Sequence, residues 1–261
     1  MLRDAAFDSR AAAIYSRVCR RWRHLCESDD FYRKVELRAV SGRTLFTGDA
    51  LQRLKALLML PRYRSVCGVT TDGVAISPPV LVLLRDVFPR LGSISFSGCT
   101  ALHAEPMIDV LRSLSCLRSL DFSNSSSASR SASPVAPKWI GCVLQAASAL
   151  TSLDVQSCKE FSTQSLSLVA QHGAALTLLN ISYTEAKIDS RAVFGSLVCS
   201  TPNMRAFYCC GLSLPHDIHG IESDMGRRWA QLQTISIGCQ KPSVAAHHFQ
   251  ASQVRVVGWR G

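Results

Sequence analysis

Cysteine and histidine are the side chains in this sequence best suited to chemistry, because both bind metals and a thiolate can act as a nucleophile. The eleven cysteines form no Cys-x-x-Cys pair, and neighbouring Cys209 and Cys210 cannot supply two tetrahedral ligands. His216 and His219 follow Pro215, where a weak metal site competes with a solvated loop. The loop is the favoured interpretation because no third ligand is close in sequence, so we expect no metal.

Covalent catalysis finds equally little support. Cys19 and Cys26 have only His24 nearby as a base, and burial is the favoured interpretation of both thiols. The sequence contains no phosphate-binding loop, no dinucleotide-binding glycine pattern, no nucleophile elbow and no zinc-protease helix motif. We therefore expect a protein that is not an enzyme and uses no cofactor.

Cysteine usage, hydropathy and charge indicate the compartment and the classes of partner to expect. The odd number of cysteines and the lack of an apolar segment behind Met1 favour a reducing compartment, cytoplasmic or nuclear. No run of apolar residues is long enough to cross a membrane. The net charge of +10 is concentrated in the first 64 residues, where a solvated helix face competes with a nucleic-acid or acidic-protein contact. Without RNA-binding or zinc-finger spacing, we expect no nucleic-acid partner.

The elements that must position any functional residue follow from an internal repeat of form L-x-x-L-x-L-x-x-C. Its clear copies, numbered 0, +3, +5 and +8, are Leu91, Ile94, Phe96, Cys99; Leu117, Leu120, Phe122, Ser125; Leu150, Leu153, Val155, Cys158; and Leu176, Leu179, Ile181, Thr184. Weaker copies are Met204, Phe207, Cys209, Leu212 and Leu232, Ile235, Ile237, with Cys239 one place early.

The repeat has a nearly constant length. Its copies start 26, 33, 26, 28 and 28 residues apart, and the longest interval contains the serine-rich run 123–133. Removing about seven residues there restores the period, so we expect a surface loop, either a plain flexible insertion or a phosphorylation site.

Each repeat should supply one short strand and one helix. Positions +3 and +5 share a face of a strand, and Leu166, Val169 and Ala170 share a face of a helix over 162–172, as do apolar residues over 192–199. A strand and a helix cannot close a core alone, so the repeats must stack. The predicted fold class is α/β, a curved solenoid with a parallel sheet and outer helices over residues 41–261.

The repeat resembles the cysteine-containing class of leucine-rich repeats over about residues 63 to 259. The resemblance implies that the small residue at +8 turns in under the next repeat. It also implies that the strands line a concave binding face.

Residues 1–40 predict a separate helical module. Ile14, Val18, Trp22 and Leu25 have helical spacing, and a second short helix over 31–35 would lead into a first strand at 35–37. The order V-C-R-R-W, L, S-D-D, aromatic pair and V-E-L resembles the second and third helices of an F-box. The resemblance implies contact with an adaptor through residues of this module: Val18, Cys19, Trp22, Phe31 and Tyr32.

The module departs from the F-box pattern at its start. The family begins with a Leu-Pro dipeptide and an apolar first helix, for which residues 1–8 leave no room, so the module is truncated or has become a cap on the solenoid. An arginine-rich mitochondrial presequence is a further interpretation, opposed by acidic residues such as Asp4 and Asp8.

The side chains facing outward from the predicted strands are the candidate partner-binding residues. They are short, polar and nearly uncharged, which favours hydrogen-bonded protein recognition over phosphate or lipid binding. They comprise Ser93, Ser95, Ser97, Ser119, Asp121, Ser123, Ser152, Asp154, Gln156, Asn180, Ser182 and Tyr208.

Two functions fit this organisation. In the first, the chain is the substrate receptor of an SCF-type ubiquitin ligase, with a Skp-family adaptor, the cullin ligase core and an unknown protein substrate as partners. In the second, it is a non-catalytic scaffold or assembly subunit of a large complex, mitochondrial or ribonucleoprotein in kind. A Leu-Pro-type helix encoded upstream of Met1 would favour the receptor.

Overall fold

The computed structural model describes residues 2–3, 33–38, 49–60, 63–73, 75–100, 102–125, 133–188, 191–212, 227–236 and 255–256. These residues build one sheet with helices packed on one of its faces. The strands follow the order of the chain from edge to edge. The edge strand β1 is antiparallel to β2, and every later neighbouring pair is parallel.

The strands are short, and a crossover connection joins each parallel pair from β2 to β10. Their bounds are β1 Leu2–Arg3, β2 Lys34–Arg38, β3 Gly68–Asp72, β4 Ser93–Ser95, β5 Ser119–Asp121, β6 Ser152–Asp154, β7 Leu178–Asn180, β8 Ala206–Tyr208, β9 Thr234–Ser236 and β10 Arg255–Val256. Arg227 and Arg228, between β8 and β9, are helical. The helices whose bounds are described all lie between β2 and β8. They are α1 Asp49–Leu58, α2 Pro78–Val87, α3 Ala104–Ser113, α4 Ile140–Ala146, α5 Thr163–His172 and α6 Arg191–Ser200.

The register of the strands confirms the predicted repeat and the predicted fold class. Leu153 pairs with Leu120 on one side and with Leu179 on the other, so the +3 positions of successive copies are neighbours. All three side chains are fully buried under the helices. One strand buries only one face, and stacking continues that buried face into a single core along the solenoid.

The +5 and +8 positions form a second buried layer. Phe96 and Phe122 stack with ring centroids 5.8 Å apart. The thiol of Cys158 donates a hydrogen bond to the carbonyl of Phe122 at 2.9 Å, and Cys99 donates to the carbonyl of Thr71 at the same distance. The expected direction is therefore wrong for these cysteines, because both thiols reach back to the preceding repeat.

Helix α5 shows why the helical stretches form where the spacing predicts them. Ser162 caps the helix by accepting a hydrogen bond from the backbone N–H of Ser165, whose hydroxyl accepts one in return from the N–H of Ser162. Leu166, Val169 and Ala170 are buried, as the apolar spacing predicts. The helix expected over 192–199 is also confirmed, as α6.

The structure corrects two expectations near the predicted boundaries. The short helix over 31–35 is wrong at Lys34 and Val35, because both belong to β2, which pairs along its whole length with β3. The predicted first strand at 35–37 is confirmed by the same pairing. In the serine-rich run, Ser125 and Ser133 are buried and anchor its two ends, whereas residues 126–132 lie outside the described part.

Candidate functional site

The face of the sheet opposite the helices, called the open face below, carries the outward side chains of β4 to β9. Its central row, the +4 position, comprises Ser95, Asp121, Asp154, Asn180 and Tyr208, which are paired in register on adjacent strands. All five are partly exposed. The strands therefore align into one accessible row the side chains that the sequence spaces 26 to 33 residues apart.

Asp121 is the centre of a first hydrogen-bonded group. The hydroxyl of Ser95 donates to Asp121 Oδ2 at 2.7 Å, and the backbone N–H of Ser123 donates to Asp121 Oδ1 at 2.8 Å. The hydroxyl of Ser123 then donates to the hydroxyl of Ser97 at 3.0 Å. These contacts fix the carboxylate across two strands and leave each of its oxygens a free lone pair.

Asp154 is the centre of a second group. The backbone N–H of Gln156 donates to its Oδ1 at 2.9 Å, and the amide of Asn180 donates to its Oδ2 at 3.0 Å and to Gln156 Oε1 at 3.2 Å. Burial raises the pKa of Asp154 above its ordinary value; the hydrogen bonds from Gln156 and Asn180 lower it, and the negative charge of Asp121 raises it further.

The +4 side chains also shape the backbone. In four successive repeats the side chain at +4 accepts a hydrogen bond from the N–H at +6, and this contact turns the chain out of the strand. One oxygen of each aspartate is therefore committed to its own turn. The second oxygen contacts only side chains of neighbouring strands, so a partner can compete for it.

The open face has a charge opposite to that of the whole chain. From β4 to β9 the described outward positions include the carboxylates of Asp121 and Asp154 but no lysine or arginine. The complete sequence nevertheless has a net charge of +10.

Ser119 and Ser152 lie beside the two aspartates on the +2 row and are also partly exposed.

Ser182 departs from the rest of the predicted set. Its side chain is only 4% exposed, because its hydroxyl accepts a hydrogen bond from the backbone N–H of Cys210 at 3.0 Å. It therefore joins two repeats and offers little surface to a partner. Tyr208, in contrast, is partly exposed as predicted.

Tyr183 is an exposed aromatic residue that the sequence pattern did not reveal. It is 52% exposed and has a φ of 59°, a left-handed conformation that bulky residues rarely adopt. Its ring lies against Gly211, where an added Cβ would come within 2.5 Å of Tyr183 Cδ1. Equivalent turns elsewhere hold Gly98, Asn124 and Ser157, also at positive φ, so an aromatic residue at a position of small residues was the available signal.

The predicted adaptor-binding residues lie outside the described residues: Val18, Cys19, Trp22, Phe31 and Tyr32. The histidine groups at 216–219 and 247–248 lie outside them as well. Within the described ranges, no three histidine, cysteine or acidic side chains come together as a metal site. None of the described helices combines the length and apolar character that a membrane crossing requires.

Two surface cavities lie among the helices and loops, away from the open face. One, of about 330 Å³, lies between Pro78, His103 and Trp139, over whose ring the Nζ atom of Lys138 sits 4.4 Å from the centroid. The other, of about 410 Å³, lies between α1 and α2. Neither brings a nucleophile together with a base.

No known family model matches this sequence, and no curated protein does. Among solved structures, the chain is similar to internalin C2 from Listeria monocytogenes, with 12% identity, coverage of 98% of this chain and 93% of the internalin, and a TM-score of 0.44. It is similar to a chain of the Toll–Spatzle complex from Drosophila, with 11% identity, coverage of 78% and 30%, and a TM-score of 0.45. The plant peptide hormone receptor RGFR1 in complex with RGF2 gives 13% identity, coverage of 79% and 30%, and a TM-score of 0.39. This chain thus spans less than a third of the last two chains.

Proposed function

We propose that this chain is a non-catalytic protein-binding module that holds a partner protein on its open face. The observation that carries the proposal is the aligned, partly exposed row formed by Ser95, Asp121, Asp154 and Asn180. Its members are fixed by one another's hydrogen bonds, so a partner would lose little side-chain entropy of the module on binding.

The chemistry of the row favours a partner that donates hydrogen bonds. Asp121 and Asp154 offer carboxylate oxygens, and no described lysine or arginine on β4 to β9 competes for them. A partner's backbone amides, or an arginine or lysine side chain, complement such a surface. Short serines at Ser119 and Ser152 leave room for a partner's backbone to approach the strands.

We further propose that the module is the substrate receptor of an SCF-type ubiquitin ligase. The support is the order of the sequence, in which an F-box-like segment containing Trp22 immediately precedes the repeats. In this arrangement the first segment would bind a Skp-family adaptor, and the open face would hold the protein to be ubiquitinated. The scaffold-subunit function remains the second candidate, since it uses the same open face without an adaptor.

One affinity experiment with two kinds of variant tests both levels of the proposal. Ser119→Arg/Ser152→Arg fills the open face with bulky charges, and its control, Gln164→Arg/Ser196→Arg, adds the same two charges at exposed positions of α5 and α6. We expect proteins captured by the wild type and by the control to be lost from the open-face variant. Equal capture by all three would contradict binding through this face.

The adaptor arm uses purified Skp-family adaptor with the wild-type chain and with Trp22→Ala. We expect the wild type to capture the adaptor and the variant to lose it, with open-face binding preserved because contacts in a solenoid are local. The contradicting result is that the wild-type chain, and a version of it extended upstream of Met1, both bind proteins through the open face without binding the adaptor. In that case the receptor proposal is wrong and the scaffold function replaces it.

A further inference from the structure

A row of exposed arginines marks the edge of the solenoid where each helix ends and the next strand begins. The arginine edge consists of Arg33, Arg64, Arg90 and Arg118, one in each of four successive repeats. Two of them occupy equivalent positions immediately before their strands. The carbonyl of Arg33 accepts the backbone N–H groups of residues 67 and 68, and the carbonyl of Arg118 accepts those of residues 151 and 152.

The described loops of this edge contain no acidic side chain that could neutralise Arg64 and Arg90. The described residues of its loops, 59–60, 63–67, 88–92, 114–118, 147–151, 173–177 and 201–205, include no aspartate or glutamate. The nearby helical carboxylates are already paired, Asp86 with Arg85 at 2.7 Å and Asp109 with Arg112 at 3.1 Å. Neither Arg64 nor Arg90 forms an ion pair within the described part of the chain.

The fold itself does not require these arginines. The two repeats that follow have Thr151 and Thr177 at the position of Arg118, and their hydroxyls donate to the carbonyl of the preceding repeat at 3.1 and 3.0 Å. Helix α4, which leads into the first of them, has no basic residue in its last turn. Compensation of helix dipoles therefore does not explain the row, although Arg118 does donate to the carbonyls of Ser115 and Leu117.

Two exposed apolar side chains lie close in sequence to Arg64. Met59 is 64% exposed and Leu60 is 38% exposed, and both lie in the same loop as Arg64. They are two of only four large hydrophobic side chains that are exposed among the described residues. Aliphatic surface beside the guanidinium groups of Arg64 and Arg90 is complementary to a ligand that carries both carboxylates and apolar side chains.

From these observations we infer that the arginine edge binds an acidic, leucine-containing segment of a partner protein. A nucleic acid fits less well, because base stacking needs exposed aromatic rings, whereas Tyr63 and Phe88 of this edge are buried. The binding surface is distinct from the open face and does not depend on the function proposed for that face.

The test is fluorescence anisotropy with three labelled probes: a peptide of alternating glutamate and leucine, an all-glutamate peptide of the same length, and single-stranded polyuridine RNA. The complete chain is compared with Arg64→Glu/Arg90→Glu and with Lys159→Glu/Lys187→Glu. The control pair lies in loops at the opposite edge, is exposed, and changes the net charge equally.

We expect the glutamate–leucine peptide to bind most tightly, and Arg64→Glu/Arg90→Glu to weaken it about tenfold or more while the control pair has little effect. Met59→Ser/Leu60→Ser should lower the affinity for the glutamate–leucine peptide to about that for the all-glutamate peptide. Failure of the peptide to bind would overturn the inference, as would equal weakening by both charge variants. Tighter binding of the RNA would overturn the protein-segment assignment. Unchanged melting temperatures would exclude unfolding as the cause.

Discussion

At the residue scale, the spacing of apolar side chains was enough to predict which residues are buried. Leu153 and Leu179 occupy equivalent buried positions because a one-residue slip would expose either strand's apolar side chains. The direction of the cysteine contacts was not predictable, since a thiol can donate to a carbonyl on either side. Cys99 and Cys158 use the preceding repeat, where they donate to the carbonyls of Thr71 and Phe122.

This burial gives a prediction about thiol reactivity. Burial raises the pKa of Cys158 from its ordinary value near 9 to about 12, and the hydrogen bond with Ser125 lowers it only in part. The thiol therefore stays protonated at neutral pH. Its contribution to stability is fully present below about pH 9 and is lost as the pH rises towards 12.

We expect iodoacetamide at about pH 8 to modify the exposed cysteines and to spare Cys158, because only a thiolate reacts quickly. Among the described residues, the exposed ones are Cys67, Cys116, Cys142 and Cys199. Peptide mapping by mass spectrometry measures each site, and the same reaction in urea should label Cys158 as well. Labelling of Cys158 in the native protein as fast as Cys116 would contradict its burial.

At the element scale, the strands and helices were predictable wherever the repeat was regular. Helix α5 had both its apolar face and its serine cap in the sequence. The repeat that contains β3 was harder to recognise because Thr71 occupies the +5 position, where it donates to the carbonyl of Ser95 at 2.9 Å. The expected helix at 31–35 failed because pairing with β3 outweighs the local helical signal.

The turn after β8, which contacts Tyr183 in the turn after β7, provides a test at this scale. Gly211→Ala would place a Cβ within 2.5 Å of Tyr183 Cδ1, and it would do so at a residue whose φ is 73°. A steric clash with the ring therefore adds to the strain of a left-handed backbone. We expect a loss of about 1–3 kcal/mol in the free energy of unfolding, measured in urea. In a Tyr183→Ala background the clash disappears and only the backbone penalty remains, so the loss should be smaller.

Gly195→Ala is the control for this cycle. Gly195 lies inside α6, and the Cβ that alanine adds there would meet nothing within 4 Å, so the substitution should stabilise the helix by about 0.5–1 kcal/mol. Equal losses from Gly211→Ala in the two Tyr183 backgrounds would mean that the ring does not rest on this glycine.

At the scale of the whole molecule, the sequence predicted the solenoid and the short polar side chains of its open face, but not the arginine edge. Stacking brings Asp121 and Asp154 onto an open face without lysine or arginine on β4 to β9, and it brings Arg64 and Arg90 onto one edge. Residues 26 to 33 positions apart become neighbours only after the register of the strands is known. The resemblance of residues 1–40 to an F-box stays a prediction, because its key residues lie outside the described part.

The linear order of the strands leads to a final prediction about cooperativity. Each repeat packs only against its neighbours, so a cavity in one repeat should weaken that repeat and the adjoining ones most. Ile235 is buried in β9, next to Phe207 of β8. We expect Ile235→Ala, at a local cost of about 2–5 kcal/mol, to reduce the hydrogen-exchange protection of β8 and β9 while β4 and β5 keep theirs. Leu120→Ala, in β5, should instead reduce protection in β4 to β6 and spare β9. Native-state hydrogen exchange read by mass spectrometry distinguishes the two patterns, and a uniform loss of protection from either variant would show that the solenoid unfolds as a single unit.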